Sequence, residues 1–242
     1  MDSQKIILIT GANTGLGREI VEGLLQSNIA HSILVGSRNL DNAVSTMESL
    51  TTEYPNSESL LFPLQIDIED DISIDSAFAH VSGKFGRLDG LVNNAGAQFD
   101  QLIQPGKMTV REAWNMSWNV NTVGTHVMTL KFVPLLLKSP QPRLLFITSS
   151  TSTLAGSENT AIKTGMNMLM REWHRTLLED GVKTWCISPG YLATGLGGNL
   201  EVNKKQGALD PSVGASLVRK VLEGERDGDV GKVVSNQGIQ EW

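Results

Sequence analysis

The chain encodes an α/β fold, a doubly wound parallel sheet of about seven strands with helices on both faces. Short, nearly continuous apolar runs recur along its 242 residues, segments with helical spacing of apolar side chains separate them, and a glycine-rich turn joins the first run to the first helix. A strand buried on both faces reads as an unbroken apolar run, whereas a strand with one wet face alternates. The runs therefore indicate parallel strands sandwiched between helices. With 40% hydrophobic and 19% charged residues, the composition suits one compact domain over 1–242.

The strand-like runs fall at residues 6–9, 32–36, 60–66, 88–92, 143–148, 182–188 and 232–235. An amphipathic helix follows the first, over 18–25. Asp41 reads as an N-cap, with Ala43, Val44, Met47 and Leu50 at helical spacing behind it; from Asp71 onward come Ile74, Ala77, Phe78 and Val81. Residues 109–130 and 161–178 continue the pattern, and Pro211 opens a last helix carrying Val213, Leu217, Val218, Val221 and Leu222. Residues 193–210, rich in Gly, Asn and Lys, read as the least structured stretch. In a doubly wound sheet they overhang the carboxyl ends of the strands, as a mobile substrate lid or as a plain surface loop.

The net charge of −6 and the lack of a basic block leave no footprint of a nucleic-acid binder. Met1-Asp2-Ser3-Gln4-Lys5 runs straight into the first strand without the regions of a signal peptide, and no apolar run approaches a membrane span. Cys186 is the lone cysteine, and His31, His80, His126 and His174 lack ligand spacing. The expectation is a cytoplasmic protein without structural metal, partnered by a small molecule rather than by nucleic acid or membrane.

The turn Thr10-Gly11-Ala12-Asn13-Thr14-Gly15-Leu16-Gly17 has the context of a nucleotide-phosphate site. Gly11 can turn with positive φ, Gly15 lets backbone approach a diphosphate, and Gly17 lets helix pack on strand, while the helix N-terminus favours negative charge. After the second strand, Gly36-Ser37-Arg38-Asn39 stands where such folds meet the adenosine ribose. No acidic residue is present to bind a free 2′-hydroxyl, and Arg38 offers a planar cation matched to a 2′-phosphate, which favours NADP over NAD. Asp67 ends the third strand, where its carboxylate either accepts from an adenine amino group or serves turn and capping chemistry. Two adjacent amides, Asn93 and Asn94, followed by Ala95 and Gly96, make a hydrogen-bonded wall beside a cofactor.

With the glycine turn, the stretches Asn93-Asn94-Ala95-Gly96, Asn121-Thr122-Val123-Gly124, Phe146-Ile147-Thr148-Ser149-Ser150 and Ser188-Pro189-Gly190 followed by Thr194 stand in one order along the chain. In these motifs, and over essentially its whole length, the chain resembles the classical short-chain dehydrogenase/reductase family, whose fold is a Rossmann-type doubly wound sheet. Its ending, residues 207–242, is similar to that of a group of fungal members, some of them in secondary metabolism. The resemblance implies a cofactor-binding set of Gly11, Asn13, Thr14, Gly15, Leu16, Gly17, Arg38, Asp67, Ile68, Asn93, Ala95, Gly96, Lys163, Pro189, Gly190 and Thr194. It also implies that Asn121 holds a proton-relay water, that Ser150 polarises a substrate carbonyl, and that Lys163 binds the nicotinamide ribose. A homodimer or homotetramer built through the long helices is expected on the same ground.

One position departs from the family. Where the family has its general acid or base, a tyrosine four residues before the lysine, this chain has Asn159 in Asn159-Thr160-Ala161-Ile162-Lys163. An amide does not titrate near neutral pH; it orients a carbonyl but cannot deliver a proton as a phenol does. Segment 151–158 is also several residues shorter than is usual in the family. Of the two tyrosines, Tyr54 reads as structural, whereas Tyr191, after Pro189-Gly190, is either a replacement acid or a packing and lid anchor. Glu158 is a second candidate acid, with a solvated helix-dipole partner as its plainer role. His126 lies too far round its helix to share a face with Asn121, and Trp114 and Trp118, one turn apart, form a core or oligomer stripe. These residues point to an NADP(H)-dependent carbonyl or alcohol oxidoreductase with a rerouted proton. The alternatives are a non-redox isomerase, dehydratase or cyclase built on the same cleft, and a cofactor-binding protein with little catalysis.

Overall fold

The structure, a computed structural model, describes residues 4–104, 106–152, 161–196, 198 and 200–241, without the side chains of 161–164. The strands are β1 (Lys5–Ile9), β2 (His31–Ser37), β3 (Leu60–Gln65), β4 (Gly90–Asn93), β5 (Arg143–Ile147), β6 (Lys183–Ser188), β7 (Val233–Ser235) and β8 (Gly238–Gln240). They form one sheet in the order β3-β2-β1-β4-β5-β6-β7-β8, parallel throughout except for the antiparallel pair β7 and β8. The helices are α1 (Gly15–Leu25), α2 (Leu40–Glu53), α3 (Asp71–Phe85), α4 (Val110–Trp118), α5 (Thr125–Leu136), α6 (Ala161–Leu177), α7 (Leu200–Lys205) and α8 (Pro211–Glu223).

The strand β1 shows why both faces are covered. Ile6 and Leu8 enter one core with Ile74, Val81, Phe132, Met166 and Met170 of α3, α5 and α6. Ile7 and Ile9 enter the other with Ile20, Leu24, Leu50, Val218 and Val221 of α1, α2 and α8. Successive side chains point to opposite faces, so an unbroken apolar run needs two cores. Pro63 is accommodated in β3 because that strand lies at the sheet edge. The strand order reverses direction between β1 and β4, the crevice where doubly wound sheets bind ligands.

Four expectations are corrected. The eighth strand, β8, was not anticipated, because three residues around an exposed Ile239 carry no apolar run. The cap of α2 is Asn39, whose side chain accepts from the Asp41 amide at 2.8 Å; Asp41 sits in the first turn, where its charge favours the dipole. The expected helix over 109–130 is two helices, α4 and α5, separated by a π-helical turn at Asn119–Gly124, and α5 runs on past Pro134 to Leu136. Segment 193–210 holds a helix of its own, α7, and Leu192 bridges in parallel to Leu209 across it.

Candidate functional site

The glycine turn is stitched to its neighbours by side chains and backbone. Gly11 and Gly15 adopt φ of +62° and +53°, the left-handed region that favours glycine. A Cβ at Gly17 would overlap the Gly11 carbonyl oxygen and stand 2.6 Å from Asn94 Nδ2. Asn94 Nδ2 donates to the carbonyls of Thr10 (2.8 Å) and Gly11 (3.2 Å), and Thr10 Oγ1 accepts from the amides of Asn94 (3.0 Å) and Ala95 (2.9 Å). On the other side the Ala12 amide donates to Gly36 O at 2.7 Å, and Thr46 Oγ1 to Asn13 O at 3.3 Å. The turn is therefore held from β4, β2 and α2 at once.

Helix α1 leaves this turn with no capping side chain from Thr14 and no acidic residue in its first turn. By contrast α2, α3, α4 and α8 are capped by Asn39, Asp70, Thr109 and Asp210. The first amides of a helix need acceptors and its N-terminus favours an anion. A glycine turn in the left-handed region, ending at a helix N-terminus that no side chain caps, fits a dinucleotide diphosphate.

The remaining predicted cofactor residues other than Lys163 stand at or after the carboxyl ends of β2, β3, β4 and β6. Arg38 is exposed just after β2, its backbone carbonyl accepting from Gln65 Nε2 at 3.4 Å. Asp67 performs turn chemistry: its Oδ1 accepts from the Glu69 amide at 3.0 Å and its own amide donates to Ser73 Oγ at 2.9 Å. Ile68 is buried, and a Cβ on Gly124 would lie 2.5 Å from its carbonyl oxygen, which explains the glycine ending Asn121-Thr122-Val123-Gly124. Asn93 turns its amide away from the glycine turn, donating to Thr129 Oγ1 at 3.0 Å, so Asn94 is the amide that touches the turn. Gly96 is exposed just beyond. Leu16, Pro189 and Leu192 converge on Gly214 of α8, and Thr194 stands over Gly15, 3.5 Å from where a Cβ would be. Gly190 carries φ +97° between them.

Of the predicted catalytic residues, Asn121 sits in the π-helical turn and is 2% exposed. Its Nδ2 donates to Ser117 O (2.7 Å) and Ala97 O (2.8 Å), and its Oδ1 accepts from Ala97 N (3.3 Å). The side chain thus takes the carbonyl four residues back, the acceptor a regular helix reserves for the backbone, and ties the turn to the loop after β4. Ser150 is exposed at the start of a 3₁₀ turn, Ser150–Ser152, directly after β5. Lys163 lies on α6, its side chain outside the described atoms, and Asn159 and Glu158 lie outside the described residues.

Tyr191 is 47% exposed, and its hydroxyl faces Asn203 Oδ1 (3.2 Å) and Gln206 Oε1 (3.0 Å), at and just after α7. Buried Asn203 in turn donates to Thr194 O at 3.1 Å, so α7 is fastened to the residue over Gly15. Tyr54 bonds Glu22 (2.5 Å) and Gln26 (3.0 Å) far from the site, and His126 lies exposed on the ring of Trp173. Trp114 and Trp118 are each 44% exposed, Trp118 closing over Gly165. Asn167 and Asn203 carry no signal in the sequence, because a polar residue's partner in the fold leaves no periodicity there. Among the described residues no group of three His, Cys, Asp or Glu is placed to hold a metal ion, and no helix is long and apolar enough to cross a membrane.

Strand order, the anion-ready turn at the strand crevice, and a serine turn beside α6 define a dinucleotide-binding doubly wound α/β protein. Residues 5–205 match the sequence profile described as short chain dehydrogenase. The chain belongs to that oxidoreductase family. It is 41% identical over 263 aligned positions to the short-chain dehydrogenase/reductase tropE of Talaromyces stipitatus, covering 98% of this chain and 97% of the relative. It is 40% identical over 270 positions to eupG of a Phoma species, with the same coverages. The tropE alignment exceeds the 242 residues of this chain, so that relative has at least 21 residues without a counterpart here. Among solved structures, the NADPH-bound carbonyl reductase from chicken fatty liver superposes with a TM-score of 0.82 at 23% identity over 100% of both chains, which establishes the shared fold.

Proposed function

We propose that this chain is an NADP(H)-dependent oxidoreductase acting on a carbonyl or alcohol of a small, secondary-metabolite substrate, with a proton donor other than the family's tyrosine. The observation that carries the reading is the glycine turn: braced by Asn94 and Thr10, closed to any side chain at Gly17, and opening onto the uncapped end of α1. Gly11, Asn13, Thr14, Gly15, Leu16 and Gly17 would hold the diphosphate and Arg38 the 2′-phosphate, which favours NADP over NAD. Asp67 and Ile68 would border the adenine, and Asn93, Ala95, Gly96, Lys163, Pro189, Gly190 and Thr194 the nicotinamide half. A nicotinamide bound by these residues would supply the hydride chemistry. The chain's own task is the oxygen: Ser150 donates a hydrogen bond to the carbonyl, and the proton arrives through that hydroxyl, through Lys163, or through water held by Asn121. Tyr191 is the weaker donor, since its hydroxyl already serves α7.

The working unit is a single domain over 1–242, in the cytoplasm, with 193–210 as the substrate lid. The half-exposed Trp114 and Trp118 on α4 suit burial in a homodimer or homotetramer. The test is oxidation of NADPH with a panel of ketones and quinones, repeated in Ser150→Ala. Turnover lost in that variant supports the reading. Substrate conversion without any change in cofactor absorbance, which Asn159 in the tyrosine position makes the second reading, would indicate isomerisation, dehydration or cyclisation instead.

A further inference from the structure

Three side chains under Ser150 form a closed polar knot that the reading above does not use. Thr148, Ser152 and Asn167 are 4%, 2% and 2% exposed. Thr148 Oγ1 donates to Asn167 Oδ1 at 2.7 Å; Asn167 Nδ2 donates to Ser152 Oγ at 3.0 Å and faces Ser152 O at 3.4 Å; Ser152 Oγ donates to Ser149 O at 2.5 Å. The Ser149 carbonyl also receives the Ser152 amide at 3.1 Å and, from β8, Gln240 Nε2 at 3.2 Å.

An amide buried on α6 among Met166 and Met170 costs free energy unless its polar atoms are paired. Among the described residues the pairing goes to Thr148, two residues before the serine turn, and to Ser152, the last residue of it. Asn167 stands four residues, about one helical turn, after Lys163 on α6. Along the chain, turn and helix are joined only through 153–160; the knot joins them directly. We propose that Asn167 is a positioning residue that clamps the Ser150 turn at a fixed distance from the helix carrying Lys163. The inference rests on the reading of Ser150 as the carbonyl-polarising group.

The experiment combines amide hydrogen exchange of peptide 148–152 with reduction of 9,10-phenanthrenequinone by NADPH, in wild type, Asn167→Ala, Ser150→Ala and the double variant. In Asn167→Ala, protection of 148–152 should fall while that of β1 stays. The kcat should fall on the order of tenfold to a hundredfold with the Kd for NADPH kept within about twofold, because small displacements of a reacting group carry that penalty. The double variant should be no slower than Ser150→Ala alone, since a clamp has nothing to position once its serine is gone. Thr148→Val keeps the shape and removes only the hydroxyl bonded to Asn167; it should lower kcat in the same sense and serves should Asn167→Ala fail to fold. Unchanged exchange at 148–152, unchanged kcat, or losses that simply multiply in the double variant would overturn the inference alone. Full turnover in Ser150→Ala, or a wild-type chain inert toward the quinone, would overturn the reading of Ser150 and the inference with it.

Discussion

A methyl group at Gly17 would press on the Gly11 carbonyl and on Asn94 Nδ2, both already engaged with each other at 3.2 Å. Gly17→Ala should therefore cost about 1–3 kcal/mol of stability, as overpacking does, and weaken NADPH binding further by tilting α1. Arg38 makes a sharper prediction, since its cation should matter only to a ligand with a 2′-phosphate. Arg38→Ala should raise the Kd for NADPH on the order of tenfold to a hundredfold and leave that for NADH nearly unchanged, as loss of a charge-assisted contact predicts; equal losses would contradict the assignment. At position 159, restoring the phenol by Asn159→Tyr should raise the reductive rate on the order of 10²-fold, the lower range of general acid catalysis, if the family's geometry survives the short segment before it. No gain would mean that proton delivery has been rebuilt around other groups.

The π-helical turn shows what an element contributes that its own residues do not announce. The strands, the glycine turn and most helices could be read from apolar spacing, because burial on both faces of a sheet imposes a pattern within each segment. The break between α4 and α5 could not. It exists because Asn121 spends its amide on Ser117 O and on Ala97, 24 residues away, and because Gly124 admits the Ile68 carbonyl. Helix α7 escaped for a related reason: its buried anchor is a polar residue, Asn203, tied to Tyr191 and Thr194 rather than to an apolar stripe. Replacing Asn121 by alanine leaves two carbonyls and an amide without this partner. A loss of about 1–3 kcal/mol in urea unfolding is expected, along with straightening of the turn; a variant of wild-type stability would contradict that role.

Across the whole molecule, the amino ends of the strands carry a second polar layer, opposite the site. Arg143, 3% exposed at the start of β5, pairs with Asp227 and donates to Val221 O at 2.8 Å, and Lys183 at the start of β6 also pairs with Asp227. The hydrogen bond from Arg143 holds the Asp227 carboxyl down from 3.8 to about 2. His31, at the start of β2, is pushed down from 6.5 to about 4, by burial first and by neighbouring Lys5 second. Both shifts act in one direction. Between pH 6.5 and about 4 the unfolded chain binds a proton at His31 that the native chain refuses, and from 3.8 to about 2 it does so at Asp227, so stability falls as pH falls through each window. Unfolding free energies over a pH series should lose on the order of 3 kcal/mol through the first window, a slope absent in His31→Leu. Asp227→Asn should cost about 1–2 kcal/mol at neutral pH, discounted for its partial exposure, and nothing near pH 2.

Calorimetric titration of NADPH and of NADH into the wild-type chain and into Gly17→Ala would decide whether the glycine turn holds a dinucleotide. One molecule of NADPH bound per chain, more tightly than NADH, with the heat lost in a folded Gly17→Ala, is the predicted result. No binding of either nucleotide to the wild-type chain, or binding untouched by the substitution, would contradict it.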